Sequence, residues 1–429
     1  MPPTIKLMKT LAKISLAAML CASPTFALAH DETHSVVETY AEIAHLTFED
    51  SLISAIELQD QIDAFLAEPT EANLQAAKDA WLAARVPYQQ TEAYRFGNAI
   101  VDDWEGRVNA WPLDEGLIDY VDASAYGLES DTNPLFNANI IANKEISING
   151  ETLVVDEITP AFLSEKLHEA GGVEANVATG YHAIEFLLWG QDLNGTDAGA
   201  GNRPATDYSL ENCTNDNCDR RRQYLDAASD LLVSDLEEME ANWEEDGAAR
   251  KALQEKSEAE VLNTILTGLG SLSYGELAGE RMKLGLLLND PEEEHDCFSD
   301  NTHNSHYYDA KGIQNVYLGR YERLDGTVFE GTSIAHYVSH ADEAVAKELR
   351  ADIASTMDAF TAMVDRAETE SYDQMIGEGN AEGNAIVQNA IDALVKQTRS
   401  IERAVAALSL EGVELEGSDS LDNPDAVFE

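Results

Sequence analysis

The sequence predicts an all-α protein built as two helical-bundle domains with one small β-hairpin. Three observations carry this. Apolar residues recur at spacings of three and four over long stretches, the period of a helix that buries one face. One stretch, by contrast, alternates with the period of a strand. The two halves are also loosely alike: each holds long amphipathic segments, a Glu with an Arg close behind, an acidic loop and a His-x-x-Glu pair. That likeness allows an internal duplication without establishing one.

Each element follows from its residues in turn. Lys6, Lys9 and Lys13 precede a short apolar run, Ile14 to Leu20, and the small-x-small triplet Ala27-Leu28-Ala29. This pattern predicts a signal peptide over 1–29 and an exported chain. Val36 to Leu66 reads as a long helix stopped at Pro69 and Thr70. Ala72 to Phe96 reads as a second, kinked near Pro87, which cannot donate a backbone hydrogen bond. "EISINGETLVV", Glu145 to Val155, alternates around Asn149-Gly150, a strong two-residue turn. Thr159 to Gly172 reads as a short helix opened by Pro160 and closed by glycines. Helices are further expected at Val173–Trp189, Tyr224–Trp243, Glu258–Leu269, Tyr274–Leu288, Ala344–Ala367 and Asn384–Leu408. The polar stretch from Asp192 to Arg220 places a domain boundary, giving domains 30–205 and 206–410. Pro291 to His306 reads as a second loop, and the acidic tail 411–429 is expected to fray.

The chain has 80 acidic and 27 basic side chains and a formal charge of −53. Such a surface repels phosphates and excludes nucleic acid as a partner. It tolerates cations, yet a solvated acidic surface needs no bound metal. In an oxidising compartment Cys213 and Cys218, five apart, are expected to close a small disulfide loop, leaving Cys297 over. A Gly-x-Ser-x-Gly elbow, a phosphate-binding glycine loop and a dinucleotide fingerprint are absent. So is His-Glu-x-x-His: "HDETH", His30 to His34, has Asp31 where the general base would stand.

The chemistry concentrates in "GYHAIEFLLWGQD", Gly180 to Asp192. On a helix His182 and Glu185 share one face, offset by a rise of roughly 4.5 Å. An imidazole and a carboxylate together suit zinc or iron. Two ligands do not make a site, because zinc takes three or four from the protein. A buried Glu185 needs a cationic partner, either a metal ion or an arginine. Gly180 lets another backbone approach. His336, His340 and Glu343 fall on one helical face and offer a second candidate. "LNDPEEEHDCFSDNTH" crowds Glu292 to Glu294, His295, Asp296, Asp300 and His303 into one polar loop.

These stretches carry a resemblance. "GYHAIEFLLWGQD" resembles the Gly-x-His-x-x-Glu signature of the imelysin family, also called insulin-cleaving metalloproteinase outer-membrane proteins. "GELAGERM" followed by "EEEHDCFSDNTH" resembles the second-half signature of its iron-regulated protein A-like branch, and "AWLAARVPYQQTEAYRF" its early helix. The resemblance implies two helical bundles with a site near their interface, residence in the periplasm or at the outer membrane, and a link to iron. By similarity to the periplasmic component of ferrous-iron transport it implies Glu92, Asp114, His182 and Glu185 as ligands. Gln89 departs from that pattern, standing where a further glutamate is expected. Arg95, Glu280 and Arg281 are further site candidates, the arginines to balance or orient carboxylates. Asp300 and His303 would close the site from the second half. The implied function is binding of a divalent metal, iron or zinc, or of an iron-bearing ligand, for an envelope uptake system. The alternative is a zinc-dependent metallopeptidase using the same pair.

Overall fold

The computed structural model describes residues 35–428. The expected signal peptide and the His30–His34 stretch lie outside the described residues. Helix α1, Val36–Ala67, opens on a capping box in which Ser35 and Glu38 satisfy each other's backbone N–H groups. Three residues later Thr70 caps α2, Glu71–Gln89, so short a connection folding α2 back along α1. Pro87 does not kink α2 so much as end it. The chain tightens into a 3-10 turn, Gln90–Tyr94, whose first N–H reaches back to the Pro87 and Tyr88 carbonyls. α3, Ala99–Asn109, follows.

The hairpin forms as the sequence predicts, β1 (Glu145–Ile148) against β2 (Glu151–Val154). Asn149 and Gly150 both take positive φ, as its two-residue turn requires. The helix expected from Val173 begins only at Gly180: α4 spans Gly180–Trp189. The reason is local. Gly180 sits at φ +79°, and a Cβ there would lie 2.3 Å from the Val108 carbonyl oxygen at the end of α3. The chain therefore turns through Gly180 into a helix that starts against another backbone. α5, Cys218–Trp243, packs on α1 and on α4, and Cys213 is disulfide-bonded to Cys218 at its start.

The second half continues with α6, Glu258–Ser271, which runs without a break into a π-helical segment, Leu272–Lys283. α7, Thr302–Leu318, was not expected, since the sequence reads as a loop up to His306. It crosses α2 and the 3-10 turn, and Gly312 permits this: a Cβ there would stand 2.5 Å from the Gln90 carbonyl oxygen. A second hairpin, β3 (Arg320–Glu322) with β4 (Val328–Glu330), was also missed. α8 (Glu343–Ala367), α9 (Tyr372–Ile376) and α10 (Ala381–Ala407) complete the bundle, with α10 against α8 and the π segment. The described residues form one compact unit, and α5, beyond the expected boundary at 205, is packed on α1.

The tail does not fray. Ser418 and Ser420 are buried, and Ser420 donates to the Gly279 carbonyl at 2.9 Å. Leu415 and Glu416 lie directly over Gly270 and Gly275, positions where a side chain would collide with them. Among the described residues no helix is long and apolar enough to cross a membrane.

Candidate metal centre

α4 is apolar on every side and its ten residues are all buried, so His182 and Glu185 lie in the core. The His182 Nδ1 is 3.1 Å from Glu185 Oε2. The other carboxylate oxygen, Oε1, accepts from the Ser299 N–H at 3.0 Å and from its hydroxyl at 2.6 Å. Both oxygens of Glu185 thus have partners. The His182 Nε2 has none.

What faces His182 comes from the polar loop before α7. The His295 ring lies 4.7 Å from that of His182, edge to face, and both of its nitrogens lack a hydrogen-bond partner. Asp296 Oδ1 is 4.0 Å from His182 Nδ1 and 2.8 Å from Arg85 Nη2. Its other oxygen accepts from Asn301 at 2.9 Å and from the Ser305 hydroxyl. One donor atom from each of His182, His295 and Asp296 lies within 4.8 Å of the other two. His306, on α7, adds a third buried imidazole 6.5 Å from His295, again with both nitrogens unpartnered.

Electrostatics keep these rings neutral. Burial, reinforced by the Arg85 charge, pulls His182 down to about 3. Burial and Arg281 pull His306 to about 3, and burial with Arg281 holds His295 well below the usual range. Burial opposes ionisation of Asp296, but Arg85 outweighs it and holds the carboxyl below the ordinary value. Burial and the Asp296 charge push Glu185 well above it. Two neutral imidazoles with unpartnered nitrogens, beside an ionised carboxylate, form a donor set suited to a divalent cation, with the His306 ring beyond them. Buried nitrogens without partners are otherwise costly, so the residues present fit a metal.

Arg85 is the second half of the arrangement. Its Nη1 donates to Asn109 at 2.7 Å, and its guanidinium lies 5.0 Å from the Tyr181 ring centroid and 5.4 Å from that of Trp81. It fixes Asp296 while reducing the negative charge of the site.

A separate charged network holds most of the other expected residues. Arg281, from the π segment, bonds Glu92 at 2.7 Å, Glu276 at 2.7 Å and Asp309 at 3.2 Å. Arg95 reaches Asp102 at 2.9 Å and Glu276 at 3.3 Å. A cleft of about 370 Å³ lined by Arg95, Glu105, Glu276, Glu280 and Arg281 opens onto His295. Asp114 is bonded by Asn133 and lines a different cleft with Trp111 and Tyr126. The structure thus brings His182 and Glu185 together. It gives Glu92 to Arg281 and Asp114 to Asn133, and neither belongs to a metal-capable group among the described residues. Asp300 joins Asp192 and Asp373 in a second carboxylate group, and His303 is half-buried nearby on α7. His336 and His340 are exposed on a helix, Ile334–Ala341, that ends before Glu343. Asp342 breaks the face and caps α8, so those three residues form no common site.

Sequence reasoning left His295, Asp296 and Arg85 out of the expected ligand set, though the first two stood in the crowded loop it had singled out. The signal that could have found them is the pairing of that loop with the α4 motif, both rich in polar groups that need burial partners.

The family model described as Imelysin matches residues 44–401. The chain belongs to the imelysin family. One relative, named Iron-regulated protein A, from Synechococcus elongatus, is 35% identical over 83 residues. That match spans 19% of this chain and 21% of the relative, about a fifth of its length. Two solved structures share the imelysin fold at low identity. A candidate iron-regulated protein A precursor from Parabacteroides distasonis has a TM-score of 0.59 at 18% identity, over 87% of this chain and 96% of that one. An imelysin-like protein from Psychrobacter arcticum has a TM-score of 0.52 at 15% identity, over 88% and 97%.

Proposed function

We propose that this imelysin-family chain is an exported protein that binds a divalent transition metal, iron before zinc, and presents it to an envelope uptake system. The observation that supports it most is that His182, whose Nε2 has no partner, shares one metal-capable group with His295 and Asp296. In this reading His182, His295 and Asp296 are the ligands. Glu185 takes the Nδ1 proton side of His182 and orients the ring, the usual place of a carboxylate behind a metal-bound histidine. Glu92 balances Arg281 rather than ligating. The two imidazoles and one carboxylate suit ferrous iron or zinc, and the relative's name, Iron-regulated protein A, favours iron.

Elemental analysis of protein purified without added metal tests this, followed by anaerobic titration with ferrous iron and with zinc. One bound ion per chain, lost in His182→Ala and in His295→Ala, is the expected result. Saturable binding left intact in both variants would remove these residues from the site.

The peptidase reading draws on the family's naming as a peptidase group. The geometry favours it less. A hydrolase needs a free general base beside its metal-bound water, and both Glu185 oxygens are already engaged. Cleavage of an unfolded peptide that is stopped by a chelator and abolished in His182→Ala would reverse that preference.

A further inference from the structure

Beyond the imidazole site, a second cluster of donors converges where three segments distant in sequence meet. Asp192 follows the end of α4, Asp300 lies in the loop that presents His295 and Asp296, and Asp373 sits on α9. One carboxylate oxygen from each lies within 4.8 Å of the others. Acidic groups alone would say little. Glu294, however, is 1% exposed, lines the same cleft as Asp192 and Asp373, and neither oxygen has a partner in good hydrogen-bond geometry, although the Thr302 hydroxyl lies close enough to favour its charged form. Asp373 Oδ2 and Asp300 Oδ1 are buried and unpartnered too. Asp192 Oδ1 accepts from Asn194, and Asp373 from the Ser371 hydroxyl. A buried carboxylate with no donor facing it is costly, and several together repel one another.

We propose that Asp192, Asp300, Asp373 and Glu294 form a site for a hard divalent cation, calcium by its chemistry. The donors are all oxygens and mostly charged, the set that calcium takes directly in flexible geometry. Magnesium, by contrast, keeps more of its water. The cleft lined by Asp192, Glu294 and Asp373 holds a free volume of about 10 Å³, room for roughly one ion or water and too little for an organic ligand; Asp300 approaches from outside it. The ion would tie the exit of α4 and α9 to the loop that carries His295 and Asp296. It is thus chemically distinct from the nitrogen-containing site and stands whether or not that site binds iron.

The test uses the full chain stripped with a chelator and held at about 0.15 M salt, where diffuse attraction to the acidic surface is screened. Calcium is titrated by calorimetry, and terbium, as a luminescent stand-in, is excited through Tyr372 beside Asp373. One saturable ion per chain is expected by both methods. Asp300→Asn combined with Asp373→Asn should weaken it by about tenfold or more, since affinity follows the count of charged ligands. His182→Ala should leave it unchanged. Unsaturable binding, or binding indifferent to the aspartate changes, overturns the proposal, as does loss of calcium binding in His182→Ala. Should the double variant fail to fold, Asp192→Asn at the half-exposed position decides by the same readout. The absence of a saturable terbium signal in the unaltered chain is fatal in either case.

Discussion

At the scale of single residues, His182 has one nitrogen committed and one to offer. Its Nδ1 faces Glu185 and its Nε2 faces no partner. Glu185→Gln keeps a carbonyl oxygen for the ring while removing the ionisable group behind it. The expected result is metal affinity lowered roughly tenfold with stoichiometry retained, the effect of losing a partner behind a ligand. Loss of stoichiometry itself would make Glu185 a ligand. Gly180 is the second decisive residue. Gly180→Ala places a side chain at positive φ and against the Val108 carbonyl. Neither α3 nor α4 can retreat without unpacking the core, so the change should cost about 2 kcal/mol or more in urea unfolding. An unchanged midpoint would mean that the contact is soft. His182 and Glu185 were legible because helical spacing alone puts them on one face. His295, Asp296 and Arg85 were not, because nothing along the chain records which loop folds over which helix. Arg85 in particular sits amid small and apolar neighbours, and its use as an anchor for Asp296 exists only in three dimensions.

At the scale of elements, long periodic segments were legible and interrupted ones were not. α1, α8 and α10 carry their apolar stripe through many turns. α7 was hidden because its first turns, from Thr302, are polar: Asp309 is buried for the charged network and His306 beside the imidazoles of the candidate centre, neither for apolar packing. The tail shows the same limit. Residues 411 to 422 look like acidic coil, yet they pack along the glycine face of α6 and the π segment. Asn263 bonds the Glu411 carbonyl at 2.8 Å, Ser271 accepts from the Glu416 N–H at 3.1 Å, and Tyr274 bonds Asp422 at 2.7 Å. Each such bond contributes about 0.5–1.5 kcal/mol net. Truncation after Leu410 should therefore lower unfolding stability by about 2 kcal/mol, with amide exchange accelerating in the π segment that bears Glu276 and Arg281. An unaltered exchange pattern there would show that the strap only rests on the surface.

At the scale of the whole molecule, charge sets the conditions under which the bundle holds. A chain of formal charge −53 repels itself, and the repulsion is long-ranged at low salt. Buried carboxylates add to this. Burial and Glu92 push Glu105 up to about 7, and burial pushes Asp235 up to about 6. Their ordinary values lie near 4 in the unfolded chain. A carboxyl raised in the folded state binds its proton more tightly there. Its favourable contribution is therefore complete below the unfolded value and disappears as pH rises through the folded one. The depressed carboxyls, Asp296 beside Arg85 and Asp119 between Arg203 and Arg221, run the other way, and lose their contribution only as pH falls through values below the carboxylate range. Between pH 7 and 8 the raised groups decide, because the buried histidines, two of them held at about 3, are neutral in both states there and oppose the carboxyls only below the ordinary histidine value. The melting temperature should be higher at pH 7 than at pH 8, and the gap should narrow as salt is raised, because screening relieves the surface repulsion but reaches the buried groups poorly. Thermal melts over that pH range at low and high salt check both parts. A profile that is flat with pH at high salt would mean that Glu105 and Asp235 ionise as freely in the fold as in the open chain.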